Sequence, residues 1–205
     1  MIKFSRSIKL YCTRTKYMVG SISIIITFYC CEDTIKENNI VDYGIVINEI
    51  NYNSSDSFNP DDWVEIYNNS NDIIDLSLWL LKDENDDHIF TIPSNTMILP
   101  NQYIIFCQDT IRFTEHFPNV DYYYCDLGFG LSGGSDHIRL FDPAGSLVDY
   151  VEYDDDPPWP TTPDGDGPTL ELKHPSLDNE NWESWAPSQG FGTPGAINSA
   201  HNGDI

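Results

Sequence analysis

The chain has 205 residues, 40% of them hydrophobic and 21% charged, which suits one domain with a packed core and argues against global disorder. From Glu32 onward, 33 acids face five bases, an excess of 28 negative charges. Because nucleic-acid affinity depends on Lys and Arg contacts to phosphate, this balance excludes nucleic acid as an expected partner and disfavours unaided adhesion to anionic lipid.

The first 31 residues are predicted to be an export signal. Five of the ten bases and no acid precede an apolar run at 17–29. This run is shorter than the bilayer span of about 20 residues but suits the apolar centre of a secretory signal. It ends at Cys30 and Cys31, which resembles a bacterial lipoprotein signal. Because Tyr29 is bulky, we expect Cys31 to be lipidated, with Cys30 as the alternative; plain secretion and an uncleaved anchor are the other interpretations.

Residues 32–43 are polar and acidic and show no periodicity, which predicts a tether. A flexible chain of about 12 residues spans on the order of 20 Å. We therefore expect a domain at 44–198, held at the cell envelope or outer-membrane surface, or secreted, with contact to the membrane through the lipid anchor alone. Residues 199–205 are predicted to be a frayed tail.

Residues 44–173 are predicted to form many short strands. At 63–67, 74–80, 137–140 and 169–173, apolar and polar residues alternate with the period of two that is typical of half-buried strands. The other predicted strands are less regular, and turn-forming residues separate the runs. The predicted strands are 45–50, 63–67, 74–80, 89–92, 103–107, 137–140, 147–153 and 169–173, with one helix at 110–116. This pattern favours an all-β antiparallel sandwich, with a small barrel as the alternative.

Residues 157–195 differ in character, because they hold eight of the 13 prolines. Apart from Thr169–Lys173, backbone pairing is disfavoured there, since Pro lacks the amide donor. Trp159, Trp182 and Trp185 also lie in this span, and exposed Trp is costly. The segment is therefore predicted to be a Pro- and Trp-rich coil packed on the sandwich.

An ordered set of short motifs resembles the bacterial lamin-tail domain (LTD) over about residues 44–198. The motifs are Ile47–Tyr52, Asp62–Asn68, Ile74–Trp79, Gly130–Asp136, Leu140–Gly145, Val148–Tyr153, Pro158–Pro160, Gly167–Leu172, Ser176–Asn179, Asn181–Trp182 and Gly192–Asn198. The resemblance implies an immunoglobulin-like β-sandwich and a non-catalytic module, found in nuclear lamins and in secreted or envelope proteins of bacteria. The family's usual Gly after the second strand is replaced here by 69–71, which implies a local change of turn.

The sequence predicts no catalytic or cofactor-binding residue, so we expect a protein that is not an enzyme. The stretch Gly130–Gly134 matches G-x-S-x-G around Ser132, but a nucleophile elbow needs a helix after the serine, and a predicted strand follows. The histidines form no close pair along the sequence; they are His88, His116, His137, His174 and His201. A metal hydrolase remains a minor alternative.

The acidic loops are tested against calcium chemistry. Loops that start at Asp83 or Asp164 lack the Gly at position 6 and the Glu at position 12 of an EF-hand. The acids of 154–156, with Asp164 and Asp166, remain able to converge on Ca²⁺, but solvated loops are favoured and no metal ligand is predicted.

Three glutamates, Glu49, Glu65 and Glu171, lie on predicted strands. We expect them on the outward, solvent-facing side, and the alternative is burial with hydrogen bonds from backbone amides. Cys107 and Cys125 are the even pair left after the cysteines of the signal, and an oxidising compartment favours a disulfide between them. Two buried thiols are the alternative.

The hypothesis that these features favour is a non-enzymatic interaction module, displayed on the cell envelope and binding an unknown protein or glycan. One alternative is a Ca²⁺-dependent carbohydrate or adhesin-type binder that uses the acidic loops and the tryptophans. Another is an accessory domain that serves a secreted hydrolase or nuclease.

Overall fold

A computed structural model describes residues 40–203 of the chain. The predicted export signal with Cys30 and Cys31, and most of the predicted tether, lie outside the described residues. The last residues of that tether contact the folded part: the Val41 amide donates to the Leu147 carbonyl at 3.0 Å, and the ring of Tyr43 lies 5.1 Å from that of Trp79. No helix within 40–203 is long and apolar enough to cross a membrane.

Short strands form three sheets. The elements are β1 (Ile45–Asn51), β2 (Trp63–Asn68), β3 (Ile74–Asp75), β4 (Leu80–Lys82), β5 (Phe90–Thr91), β6 (Met97–Ile98), β7 (Tyr103–Cys107), α1 (Thr110–His116), β8 (Tyr123–Cys125), β9 (Asp136–Phe141), β10 (Leu147–Tyr153), β11 (Leu170–Leu172) and β12 (Trp185–Pro187). The six-stranded sheet has the order β12-β11-β1-β2-β7-β8, the four-stranded sheet β10-β9-β4-β5, and β3 pairs with β6. The described strand pairs are antiparallel except β7 with β8. The predicted immunoglobulin-like β-sandwich is thus confirmed, with one parallel pair added.

The core lies between the two larger sheets. Alternate residues of β2, Val64 and Ile66, point into it, as do Ile138 and Leu140 of β9. The register of β1 with β2 shifts between Ile47 and Glu49, and this bulge keeps apolar residues on the core side at both ends of β1. Burial of each such side chain stabilises the fold by roughly 1.5–3 kcal/mol.

The outer face of the six-stranded sheet is covered at two places. Helix α1, which has the predicted bounds, begins after Asp109, whose carboxylate accepts the Arg112 amide at 2.9 Å as an N-cap. Its Phe113 packs on Trp63, and both are fully buried. The middle of the face is covered by residues 188–200, which we call the strap. The predicted packing of the Pro- and Trp-rich coil on the sandwich is confirmed at Trp185, which is buried in the core, and at Trp159, which packs against it, whereas Trp182 is 42% exposed.

The prediction of one strand at 74–80 is wrong. The chain forms β3, turns, and then forms β4, because Leu78 takes a left-handed backbone conformation with φ of 64°. Leu76 is buried in the core while Leu78 is exposed, so the alternation of leucines reflects a turn. The strands β6, β8 and β12, of two or three residues each, are too short to show periodicity and were not predicted.

Candidate functional site

Three glutamates lie side by side on the outer face of the six-stranded sheet. Glu49 on β1 is directly opposite Glu171 on β11 and Glu65 on β2. All three have 0% of their surface exposed, because the strap covers them. The expected outward direction is therefore confirmed, but the expected contact with solvent is wrong. We call these three residues the glutamate row.

The strap donates backbone amides to every member of the glutamate row. The amide of Thr193 donates to Oε1 of Glu49 at 2.9 Å. The amide of Gly195 reaches Oε2 of Glu65 at 2.6 Å, and the amide of Ala200 reaches Oε2 of Glu171 at 2.7 Å. These are the backbone hydrogen bonds that the alternative interpretation of the strand glutamates anticipated.

Side chains complete the donor set around the row. Asn48 Nδ2 donates to Glu65 Oε1 at 2.7 Å, and the Thr169 hydroxyl donates to Glu49 Oε1 at 2.5 Å. The hydroxyls of Thr193 and Ser199 donate to Glu171 at 2.7 and 2.8 Å. The strap thus supplies five of the seven donor atoms that reach the row.

Burial sets the electrostatics of the row. It raises the pKa of Glu65 to about 8. It also raises the pKa of Glu49 well above its ordinary value, with the charges of Glu65 and Glu171 as further causes. None of the ion pairs within 40–203 includes a member of the row. Since unpaired buried charges are costly, the row retains a proton at neutral pH.

Other buried acids hold loops in place. Asp136 accepts the amides of Glu84 and Ser132 at 3.0 and 2.9 Å, so the residue in the G-x-S-x-G match is tied down just before β9. Asp62, next to β2, accepts the Leu131 amide at 2.7 Å, and burial raises its pKa to about 7. These contacts are structural in kind.

The histidines are dispersed over the fold, with one exception. His88 contacts Asp83 at 2.6 Å and His137 contacts Glu152 at 3.0 Å. The structure brings His174 and His201 together, with ring centroids 5.1 Å apart, a pair that the distance along the sequence concealed. The Nδ1 of His116 lies 2.8 Å from the Arg112 carbonyl of its own helix.

The acidic loops meet only in part. One carboxylate oxygen from each of Asp154, Asp155 and Asp156 lies within 4.8 Å of the others, and among residues 40–203 this is the single group of three or more such side chains with metal-compatible spacing. Asp164 takes a different partner, since Asn53 Nδ2 donates to its Oδ1 at 2.5 Å. The side chains of the two acidic stretches therefore do not converge on one site, as a shared calcium ion would require.

Cys107 and Cys125 lie opposite each other where β7 runs parallel to β8. Their Cα atoms are 4.3 Å apart and their sulfur atoms are in contact. The disulfide stays a prediction. The fold holds the two cysteines side by side, as a disulfide between them would require.

An apolar surface lies on the β3–β6 ribbon. Register pairs Ile74 with Ile98, so the residues on either side point away from the core. Ile73, Met97 and Leu99 are 57%, 42% and 48% exposed, and we call them the apolar ribbon. This surface was not predicted from the sequence, because two-residue strands show no periodicity from which to assign a face.

Comparison with known proteins finds a matching family and solved structures that are similar to this chain. The sequence pattern of the Lamin Tail Domain family matches residues 42–155. The crystal structure of a DUF4876 family protein from Bacteroides thetaiotaomicron VPI-5482 is similar, with a TM-score of 0.48 and 13% sequence identity, over 72% of this chain and 68% of that chain. No curated protein matches the chain.

Proposed function

The chain belongs to the lamin tail domain family, and on that premise we propose that it is a non-enzymatic interaction module, displayed on the cell envelope through lipidated Cys31 or, as the alternative, Cys30. The family match over residues 42–155 carries the proposal. The family resemblance implies a non-catalytic immunoglobulin-like module, and an export signal that ends in two cysteines supplies the place of display.

The buried carboxylates favour a structural role for the glutamate row and argue against a catalytic one. A catalytic acid or base must reach a substrate atom within hydrogen-bond distance. The members of the glutamate row instead accept hydrogen bonds from the strap, and none of their surface is exposed. The raised pKa values of Glu49 and Glu65 thus follow from their burial beneath the strap.

The apolar ribbon is the surface that we assign to binding. It is flanked by Asp72 and Asp75, and the described residues hold 29 acids against four bases. Charge complementarity therefore selects a protein partner with an apolar centre and a basic rim. Against such a partner, the exposed side chains of Ile73 and Leu99 would gain the burial that they lack in the free chain.

The anchor is tested by replacing both Cys30 and Cys31 with Ser. We expect acyl labelling to be abolished and the protein to move from the membrane fraction to the soluble fraction. Replacement of Cys12, which lies in the basic stretch, is the matched control and leaves labelling intact. Unchanged membrane retention in the double variant would refute the lipid anchor.

The interaction is tested by crosslinking capture with the full chain as bait. We expect the variant Ile73→Glu/Leu99→Glu to lose the captured basic partner. Ile111→Glu is the control, since Ile111 is 69% exposed on α1, away from the ribbon, and it retains capture. Equal capture by both variants would exclude the ribbon as the surface, and turnover in a hydrolase panel would contradict the non-enzymatic assignment.

A further inference from the structure

We propose that the strap is a proton-dependent closure of the glutamate row: it stays docked while the row shares a proton and loosens when that proton is lost. This inference goes beyond the proposed function and does not depend on the identity of any partner. It rests on the geometry of the hydrogen bonds between the strap and three adjacent buried carboxyl groups.

The hydrogen bonds assign the shared proton to Oε2 of Glu49. Among residues 40–203, the one partner of this oxygen is the hydroxyl of Thr193, at 3.5 Å. The same hydroxyl lies 2.7 Å from Oε1 of Glu171. A hydroxyl has a single proton to donate. The Thr193 hydroxyl therefore donates to Glu171, and it accepts a hydrogen bond from Glu49 when Glu49 is protonated. Without that proton, two carboxylates face one donor.

Loss of the proton leaves the row with more charge than its surroundings compensate. On β1, β2 and β11 the titratable residues are the three glutamates and Tyr67. Tyr67 and, from β7, Tyr103 face the row. Burial raises the pKa of both phenols, so they stay neutral while the row titrates, and a phenol offers no positive charge in either state.

Positive charge is also lacking on the covering segments. The strap and β12 contain no titratable side chain. Beyond the strap, His201 lines a cavity of about 210 Å³ together with Tyr67 and Tyr103. Lys173 is engaged elsewhere, since its Nζ donates to the Glu183 carbonyl at 2.9 Å.

The strap can leave without opening the core. No strap residue belongs to the buried hydrophobic cluster between the sheets. Besides the row, its main ties are two hydrogen bonds between Ser188 and Thr169, the hydrogen bonds of Asn198 with Asn48 and with the Leu172 carbonyl, and the stacking of Phe191 on Phe58. Docking therefore depends chiefly on polar contacts, and it is weakened when the row beneath the strap carries buried charge that those contacts do not compensate.

Amide hydrogen exchange of the full chain tests the proposal, read at the amides of Thr193, Gly195 and Ala200. After correction for intrinsic exchange, we expect protection of these amides to fall by at least about tenfold between about pH 6 and about pH 9, because one unit of pKa difference changes an opening equilibrium tenfold. Amides of β9 and β10 are the internal reference and keep their protection. Constant protection of the strap, or an equal loss in β9 and β10, would overturn the proposal.

The variant Glu49→Gln separates protonation from other effects of pH. Its side-chain amide donates to Thr193 as the protonated acid does, so the pH response of protection at the Thr193 amide is expected to be largely lost. Glu84→Gln makes the same chemical change at an exposed site and keeps the wild-type response. Wild-type behaviour in Glu49→Gln would refute the assignment. If that variant does not fold, titration of ¹³C-labelled glutamate carboxyls in the wild-type chain decides, since absence of a proton on Glu49 at neutral pH would overturn the proposal.

Discussion

The amide of Gly195 donates a hydrogen bond of 2.6 Å to Oε2 of Glu65, which lies 130 positions earlier in the chain. This bond joins the strap to a central strand of the six-stranded sheet. Parallel bonds from Thr193 and Ala200 to Glu49 and Glu171 repeat the arrangement on the adjacent strands. The strap is thus held by hydrogen bonds to acidic side chains, whereas a covering segment is usually held by contacts between apolar side chains.

Gly192→Ala is expected to destabilise the fold by about 2–4 kcal/mol. Gly192 has φ of 98°, and an added Cβ would lie 2.6 Å from Oε1 of Glu49 and 2.8 Å from Cγ2 of Thr169. Gly190→Ala is the matched control. Gly190 has φ of 76° and no atom lies within 4 Å of the added Cβ, so the expected loss of stability is only the strain of Ala in a left-handed conformation, about 1 kcal/mol. Urea unfolding measures both, and equal losses would show that the strap does not press on Glu49.

The free energy of unfolding is expected to fall as pH rises from about 5 to about 8, by on the order of 3 kcal/mol. Burial raises the pKa of Asp62 to about 7 and of Glu65 to about 8. The folded state therefore keeps protons that the unfolded state releases at lower pH, and stability is lost as pH rises through the folded values.

This pH dependence is measured by urea unfolding at constant ionic strength. Glu65→Gln should flatten the slope because it removes one of the buried acids whose pKa is raised. Glu84→Gln, at an exposed glutamate, should leave it unchanged. A stability that rises with pH over this window would contradict the argument.

Cys107 and Cys125 are expected to be linked in the mature protein. In the chain-entropy model, a bond across a separation of 18 residues contributes roughly 3 kcal/mol. Non-reducing mass spectrometry should recover the linked peptides, and reduction should lower the urea midpoint. Rapid alkylation of both thiols in the native, unreduced protein would exclude the bond.

Divalent cations are expected to stabilise the domain weakly and without selectivity, by screening its excess negative charge. At fixed ionic strength, millimolar Ca²⁺ and Mg²⁺ should give equal, small shifts in melting temperature. A specific site would instead add about 2.7 kcal/mol at a hundredfold excess over Kd. A shift given by Ca²⁺ alone, and lost in Asp155→Asn/Asp156→Asn, would show that 154–156 form such a site.

Local patterns determined much of the architecture. Strand β9 covers the alternation predicted at 137–140, and β7, β10 and α1 have their predicted bounds, because alternation at period two, turn residues and the helix cap at Asp109 act within a few residues. The strand predicted at 74–80 was wrong, because a left-handed turn at Leu78 gives Leu76 and Leu78 the same spacing as alternate residues of a strand. The family resemblance rests on the same local motifs taken in order.

The sequence by itself determined that Glu49, Glu65 and Glu171 share the face opposite the core, because side chains alternate along each strand. Only the tertiary structure decided that this part of the face is covered and not exposed to solvent. The covering strap lies 144 residues from Glu49 at the Thr193 contact, and no local pattern reports what a distant segment will cover. Burial and the resulting rise in pKa are properties of that contact, so they follow from the assembled fold alone.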